Sequence, residues 1–229
     1  MKRLLALLLS VLMIALPLSS LAANFVPERA TAYMEIKFQC GCTRGGTGAM
    51  IGRRGLVTAA HNLYCHKHAQ GLEYCNFYFG ARSAGSCYYK YSGRFSYTVY
   101  NTFRSGYDSS NDIGYVVFDS PVGDNTGWYA WLAGTDHDLD QEYVHTMYYD
   151  STRHSKGDWD LAHVRNNTEI YWNAYAYDTG GGPVYFDYEG LDFPMVIGVY
   201  TSNDSSGHAY ARRLTVDIIN DMRADGAFN

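Results

Sequence analysis

Short runs of apolar, aromatic and β-branched residues recur along the chain, separated by clusters of Gly, Asp, Asn and Ser. The alternation of Met34, Ile36 and Phe38 with polar residues is typical of a half-buried strand. The predicted strands are 33–38, 76–79, 95–103, 113–118, 143–149, 169–176 and 195–200. The pattern contains no βαβ alternation and no internal repeat, so it predicts a mostly-β sandwich or barrel.

One amphipathic helix is predicted near the C-terminus. Val216, Ile219 and Met222 recur at helical spacing with polar residues between them, and Thr215 can cap the first turn. We therefore expect a helix that packs one face on the body of the domain.

The N-terminus predicts export. Lys2 and Arg3 precede an apolar run from 4 to 18, and small residues follow. This is the pattern of a secretory signal peptide, here 1–22 with cleavage possibly after residue 23. A membrane anchor is the competing interpretation, but the run is shorter than the roughly 20 residues of a spanning helix. We expect a secreted protein whose mature part, 24–229, is one domain.

The composition argues against two classes of partner. The formal net charge is −5 and becomes −7 when the two cationic residues of the leader are removed. The chain has no Lys/Arg-rich run, so neither nucleic acid nor, after leader removal, a membrane surface is an expected partner. No cofactor is expected either, and the oligomeric state stays open.

The five cysteines all lie in the first half of the chain, and in an exported protein they predict disulfides. They are Cys40, Cys42, Cys65, Cys75 and Cys87. One must remain unpaired, and the sequence leaves all fifteen arrangements open, including a hairpin bridge between Cys75 and Cys87. A zinc site at Cys65, His66 and His68 is the alternative. It lacks a second well-spaced ligand pair, so no metal site is predicted.

Two motifs place a histidine and an aspartate where they can act together. The first contains Gly46-Thr47-Gly48 and then a hydrophobic strand that ends in Ala59-Ala60-His61. An imidazole held at a strand end is suited to general-base catalysis. In the second, Asp112 opens the apolar strand 113–118. A carboxylate there needs a partner, and orienting the histidine would supply one.

The third motif is the glycine-rich segment 177–185, Tyr-Asp-Thr-Gly-Gly-Gly-Pro-Val-Tyr. With the other two it closely resembles the histidine, aspartate and nucleophile motifs of trypsin-like serine proteases, in that family's chain order. Ser-Pro-Val-Gly at 120–123 and Ile-Gly-Val at 197–199 resemble the bacterial glutamyl-endopeptidase branch. The resemblance covers about 46–222. It implies a chymotrypsin-like double β-barrel, two six-stranded antiparallel barrels with a C-terminal helix and an active-site cleft between them.

The resemblance fails at the nucleophile. Aligned on Gly-Gly-Pro, it puts Gly180 at the position of the family's serine, and Asp178 and Gly180 in the oxyanion loop. Aligned on the preceding Tyr-Asp-Thr, it implies instead that a short piece with the oxyanion loop and the serine has been deleted. Thr179 is the hydroxyl of this loop that could replace the serine, although it comes one residue early. The nearest hydroxyls downstream, those of Ser202, Ser205 and Ser206, lie outside any nucleophile-turn context.

The substrate pocket also departs from the branch. By resemblance Tyr200 and Thr201 belong to the pocket, and Tyr200 stands where glutamyl endopeptidases carry a histidine. A tyrosine carries no positive charge at neutral pH, so their preference for acidic residues is not transferred to this chain.

Three functional hypotheses follow. The first is a secreted endopeptidase homologue, with His61 as base and Asp112 orienting it, that is inactive or strongly impaired and binds a peptide or protein. The second is an active endopeptidase using Thr179 or another hydroxyl. The third is a glycan-binding module lined by tyrosines, although we expect most of these to pack on barrel faces. The acidic run 136–140 could bind calcium, but a solvated loop is the preferred interpretation.

Overall fold

The computed structural model describes residues 27–83, 85–174, 180–187 and 193–229. In these residues the strands form two sheets, each of eight strands. Both sheets are antiparallel except for one short strand, and each curls into a barrel or half-barrel. The signal peptide predicted at 1–22 lies outside the described residues. Within them, no helix is both long and apolar enough to cross a membrane.

The first sheet is built from the N-terminal half. Its strands run in the order β4-β5-β1-β2-β3-β8-β7, with β6 also paired to β5. They are β1 Thr31–Phe38, β2 Thr43–Met50, β3 Gly55–Thr58, β4 Tyr64–Cys65, β5 Gln70–Phe79, β6 Tyr89–Tyr91, β7 Phe95–Val99 and β8 Gly114–Phe118. Burial of one face of these strands creates a core rich in Phe, Met, Ile and Val.

The second sheet follows in the order β11-β10-β14-β15-β16-β13-β12, and β9 pairs in parallel with β15. Its strands are β9 Ala130–Trp131, β10 Tyr143–Tyr149, β11 Ser155–Leu161, β12 His163–Val164, β13 Glu169–Asn173, β14 Pro183–Asp187, β15 Pro194–Asn203 and β16 His208–Arg213. Trp172, Ile170 and Ile197 belong to its own core cluster.

The predicted double barrel is confirmed. Within the described ranges, each sheet contains six strands of four residues or more, and the remaining strands, β4, β6, β9 and β12, are two or three residues long. The expectation of six strands a barrel therefore holds for the long strands, while short edge pairings account for the difference.

The helices are short, apart from the one at the C-terminus. They are α1 Pro27–Ala30, α2 Asn101–Ser105, α3 Gly123–Thr126, α4 Asp136–Leu139 and α5 Val216–Ala224, with 3₁₀ turns at Ala60–Asn62, His66–His68 and Ser109–Asn111. Helix α5 confirms the predicted C-terminal helix, and the Thr215 hydroxyl accepts a hydrogen bond from the Ile218 amide.

The buried face of α5 differs from the prediction at one position. Ile219 and Met222 are buried in the first core, but Val216 is 61% exposed and Ile218 takes the third buried position. With 3.6 residues per turn, Val216 lies on a different side of the helix from Ile218 and Met222 and therefore faces solvent. Helix α5 thus extends from the second sheet back onto the first, and joins the two halves.

Two predicted strands are shorter than expected. The run 95–103 is strand only to Val99, and Phe103 is buried in α2 instead. The run 169–176 is strand to Asn173, and residues 175 and 176 lie outside the described part of the chain. Aromatic richness does not distinguish a strand from a buried helical turn, which explains the first error.

Candidate active site

Two neighbouring strands bring His61 and Asp112 together. His61 lies in the 3₁₀ turn that follows β3, and Asp112 lies two residues before β8. Strands β3 and β8 are antiparallel partners, with Thr58 opposite Gly114. The end of one strand and the start of the other therefore meet at the same edge of the sheet. This register places a histidine and an aspartate, 51 positions apart in sequence, side by side.

The Asp112 carboxylate binds His61 twice. One oxygen lies 2.6 Å from the imidazole Nδ1, and the other accepts the His61 backbone N–H at 2.9 Å. The Asp112 residue is fully buried, so its charge requires such partners. An Nδ1–H that donates to the carboxylate leaves Nε2 as the free acceptor, the tautomer that a general base needs.

The glycine segment meets this pair from the second sheet. Gly180 lies three residues before β14, and its carbonyl accepts hydrogen bonds from the Thr47 amide at 3.0 Å and the Asn62 side chain at 2.7 Å. Next to it, the Gly181 amide donates to the Tyr200 carbonyl at 2.6 Å. These three bonds fix the segment between the sheets, with Gly180 against the histidine.

The space at Gly180 is already filled by His61. A Cβ atom built on Gly180 would lie 2.5 Å from Cε1 and 2.7 Å from Nε2 of the imidazole. Contacts this short require an atom to shift. Because glycine has no side chain, the segment at residue 180 lies closer to His61 than it could with any other amino acid at this position.

The following glycine meets a similar constraint. Gly181 has a φ of +96°, and a Cβ there would collide with the Thr47 carbonyl and the Thr58 hydroxyl. Its backbone conformation and its close packing both require glycine.

Asp178 and Thr179 lie outside the described residues. The oxyanion loop predicted at Asp178 and Gly180 is therefore described only at Gly180, whose carbonyl accepts the Thr47 amide hydrogen bond between the two sheets. Among the residues that the structure describes, no hydroxyl forms a hydrogen bond with Nε2 of His61.

The pocket residues Tyr200 and Thr201 are on β15, beside Gly180. Tyr200 is buried, with its ring near Tyr148 and Trp172 and its hydroxyl donating to Asn203 at 2.9 Å. The Thr201 hydroxyl donates to the Tyr210 carbonyl at 3.2 Å. This side of the cleft is aromatic and hydrogen-bonded internally, and Tyr200 contributes no positive charge.

An open cleft of about 390 Å³ connects these groups. Its lining includes Arg44, His61 and Tyr107 from the first half and Gly180, Thr201 and Ser202 from the second. Tyr107 is 62% exposed, and the partial burial of its ring, followed by the negative charge of Asp112, raises the pKa of the phenol above its usual range.

The cysteines do not confirm the disulfide prediction, because all five are free thiols. Cys75 is buried in the first core and Cys87 packs beside a separate small cluster around Tyr149, so the suggested hairpin bridge is not formed. Cys40, Cys42 and Cys65 instead converge with His68. Sequence spacing could not reveal this, because Cys40 and Cys42 lie on a different hairpin from Cys65.

The acidic run predicted as a solvated loop is engaged with the protein itself. Asp136 accepts a hydrogen bond from Arg213 at 2.6 Å, and Asp138 caps α4 through the Thr135 amide. Asp140 accepts from the Val164 amide. The three carboxylates thus accept hydrogen bonds from different parts of the protein and do not share one partner.

The tyrosines are divided between core and surface. Tyr148 and Tyr149 are buried, in agreement with the packing interpretation, while Tyr88 is about half exposed. Tyr175 and Tyr177 lie outside the described residues. The glycan-binding hypothesis gains no aromatic surface from the buried pair.

Comparisons with known proteins define the class of fold. No protein-family profile and no curated protein sequence matches the chain. Solved structures do match, and the fold they share is the chymotrypsin-like double barrel of serine proteases. At 15% identity or less, this likeness shows the fold alone.

The particular structures are proteases. A Glu endopeptidase aligns with a TM-score of 0.74 at 15% identity, covering 90% of this chain and 94% of its own. Protease Anisep from Arthrobacter nicotinovorans gives 0.73 at 12% identity, with 88% and 97% covered. The thermostable serine protease AL20, from an extremophilic microorganism, gives 0.74 at 9% identity, with 88% and 99% covered.

The close approach of Gly180 to His61 predicts that even an alanine at position 180 lowers the stability of the protein. We expect Gly180→Ala to displace the imidazole and to lower the free energy of unfolding by about 1–3 kcal/mol, as overpacking does. Gly106 is the matched control, because its backbone is extended and a Cβ there meets nothing within 4 Å. Gly106→Ala should be neutral or stabilising by up to about 1 kcal/mol.

Urea denaturation measures both variants, and the low-field NMR resonance of the Nδ1 proton reports on the His61–Asp112 bond. Equal stability of Gly180→Ala and Gly106→Ala, with that resonance unchanged, would contradict the packing described for Gly180.

Proposed function

We propose that this protein is an exported homologue of serine endopeptidases that has lost peptide hydrolysis and binds a peptide or protein segment in the cleft between its barrels. One observation carries the proposal: the residue that faces His61 from the second sheet is Gly180, which has no side chain. Glycine offers no atom that can attack a peptide carbonyl.

The proposed roles follow the serine-protease mechanism up to the nucleophile. His61 corresponds to the general base and Asp112 to the group that orients it, and their 2.6 Å contact supports this assignment. Gly180 occupies the position of the attacking serine. Loss of the nucleophile alone lowers kcat by several orders of magnitude.

The cleft supports the binding half of the proposal. Its volume of about 390 Å³ is in the range of ligand sites, and it is open to solvent between the two halves. Arg44 and Tyr107 on one side and Ser202 on the other offer polar contacts to an extended backbone. Tyr200, at the pocket position, makes the aromatic side suited to neutral or apolar residues.

The intact His61–Asp112 pair favours a second candidate function, an active endopeptidase that uses Thr179. A threonine at this place would have to reach Nε2 from one residue before Gly180. The two functions differ in whether a hydroxyl of the protein becomes covalently modified.

A fluorophosphonate probe distinguishes the two functions. We expect no labelling of the purified mature protein, and casein hydrolysis no faster than in a His61→Ala variant. We also expect Gly180→Ser to remain unlabelled, because its Cβ would force the imidazole away from Asp112. Labelling of the unmodified protein that disappears in Thr179→Ala would establish the endopeptidase instead.

Binding in the cleft is tested separately, with fluorescent unfolded casein as the probe. We expect Ser202→Arg to weaken binding at least about tenfold, because a large side chain would fill the cleft. Ser206→Arg is the matched control, since Ser206 is exposed on the same hairpin and does not line the cleft. Equal affinities of the two variants, or no binding by the unmodified protein, would place recognition elsewhere.

Export is the remaining part of the proposal, and it rests on the leader at 1–22. Expressed from its full sequence in a bacterial host, the protein should be recovered outside the cytoplasm with Ala23 or Asn24 as its N-terminal residue. N-terminal sequencing measures this directly. Recovery of a chain that still begins at Met1 from the cytoplasm would exclude the export proposal.

A further inference from the structure

Four side chains with metal-binding atoms converge beside the cleft. Each of Cys40, Cys42, Cys65 and His68 offers one ligand atom, and these atoms all lie within 4.8 Å of one another. The His68 Nδ1 is 3.4 Å from the Cys42 sulfur and 3.5 Å from the Cys65 sulfur. Three thiols and one imidazole are a donor set typical of structural zinc.

The distances fit a tetrahedral ion. Zinc bonds of about 2.3 Å to sulfur and about 2.0 Å to nitrogen give a sulfur–nitrogen edge of about 3.5 Å in a regular tetrahedron, and a sulfur–sulfur edge of about 3.8 Å. The two sulfur–nitrogen distances therefore already have the length of tetrahedral edges. Cys40 and Cys42 are only partly buried and His68 is exposed, so small side-chain rotations can close the remaining edges.

Backbone hydrogen bonds hold the segments that carry the cysteine ligands next to each other. Cys40 and Cys42 flank Gly41 in the turn between β1 and β2, and Gly41 has a φ of +84° that suits glycine. Cys65 ends β4, which pairs with β5. The Gln39 amide then donates to the Gly71 carbonyl of β5 at 3.0 Å. The fold thus preorganises the four ligands.

A disulfide explains this cluster less well than a metal does. One bridge among three sulfurs leaves a third thiol unused, and it assigns no role to the imidazole that contacts two of them. An ion uses all four groups. It also resolves the odd cysteine count, because three cysteines bind the metal and Cys75 and Cys87 remain.

We propose that Cys40, Cys42, Cys65 and His68 bind one zinc ion in a structural site. Four protein ligands complete the tetrahedron, so no position is open for substrate. The ion joins the β1–β2 turn to the segment that follows His61. Arg44, two residues after Cys42, donates to the His61 carbonyl at 3.0 Å, and Cys65 itself lines the cleft. The zinc therefore stiffens the wall that carries His61.

Zinc content of the full-length mature protein, purified without chelator, tests the site independently of the cleft's function. We expect one zinc per chain by inductively coupled plasma mass spectrometry. Cys42→Ser and His68→Ala, washed with a competing chelator, should retain less than about a tenth of it, because even loss of an outer-shell partner costs ~10–100-fold in affinity.

Two matched controls should keep the metal. Cys87→Ser makes the same chemical change outside the cluster. His66→Gln alters the neighbouring histidine, whose Nε2 lies 2.8 Å from the Phe103 carbonyl instead. Loss of zinc in His66→Gln but not in His68→Ala would overturn the ligand assignment.

Cobalt substitution of the unmodified protein removes any dependence on whether the variants fold. Cobalt(II) bound by three thiolates and one imidazole should show intense sulfur-to-metal charge transfer and the visible bands of a tetrahedral ion. A protein without stoichiometric zinc, a six-coordinate cobalt spectrum, or a disulfide joining two of the three cysteines in non-reducing peptide mapping would each overturn the proposal.

Discussion

The candidate site depends on the close contact between the two barrels at Thr47. The Thr47 amide donates to the Gly180 carbonyl, and its hydroxyl accepts from the Tyr149 amide of the second sheet. The Thr47 carbonyl in turn accepts from the Thr58 hydroxyl at 2.6 Å. One buried residue thus ties the end of β3, which leads to His61, to the glycine segment opposite. Side chains at Gly180 or Gly181 would separate these parts.

The His61–Asp112 pair has a structural role whatever the activity of the protein. The Asp112 carboxylate is fully buried, and within the described residues both of its hydrogen bonds are to His61. Removal of one partner of a buried charge is costly, since the remaining group loses its compensation. An intact pair is therefore expected even in a homologue without hydrolysis, and it is weak support for catalysis by itself. The residue opposite the imidazole is more informative than the pair.

Much of the site could be predicted because its motifs are local. The strand-to-histidine and aspartate-to-strand patterns are each contained in a few consecutive residues, and the family's chain order relates them. The fold could be predicted for the same reason, and because short strands rich in aromatic residues indicate a β-barrel or sandwich. The ends of the elements and their buried faces were harder to predict. Phe103 lies in a helix and Val216 is exposed because of where the core lies, and the local sequence pattern does not specify that position.

The cysteine cluster could not be predicted from the sequence, for a different reason. Cys40 and Cys42 lie near Cys65 and His68 only because β1, β5 and β4 are neighbours in one sheet. The spacing of these residues along the chain does not reveal the strand order. The same holds for the contact between Gly180 and His61. The resemblance predicts a glycine at the position of the family's serine, but only the packing shows how closely the imidazole approaches it.

That occupied space has an evolutionary consequence. If hydrolysis was lost as proposed, a glycine codon that reverted to serine would meet an imidazole already within 2.7 Å of the new Cβ. The reversion would harm folding before it could restore chemistry. Recovery would need a second change to lengthen or lift the segment first. Under the proposed loss of hydrolysis, the effect of a serine at position 180 would thus depend on the order of the two changes, which is a form of epistasis.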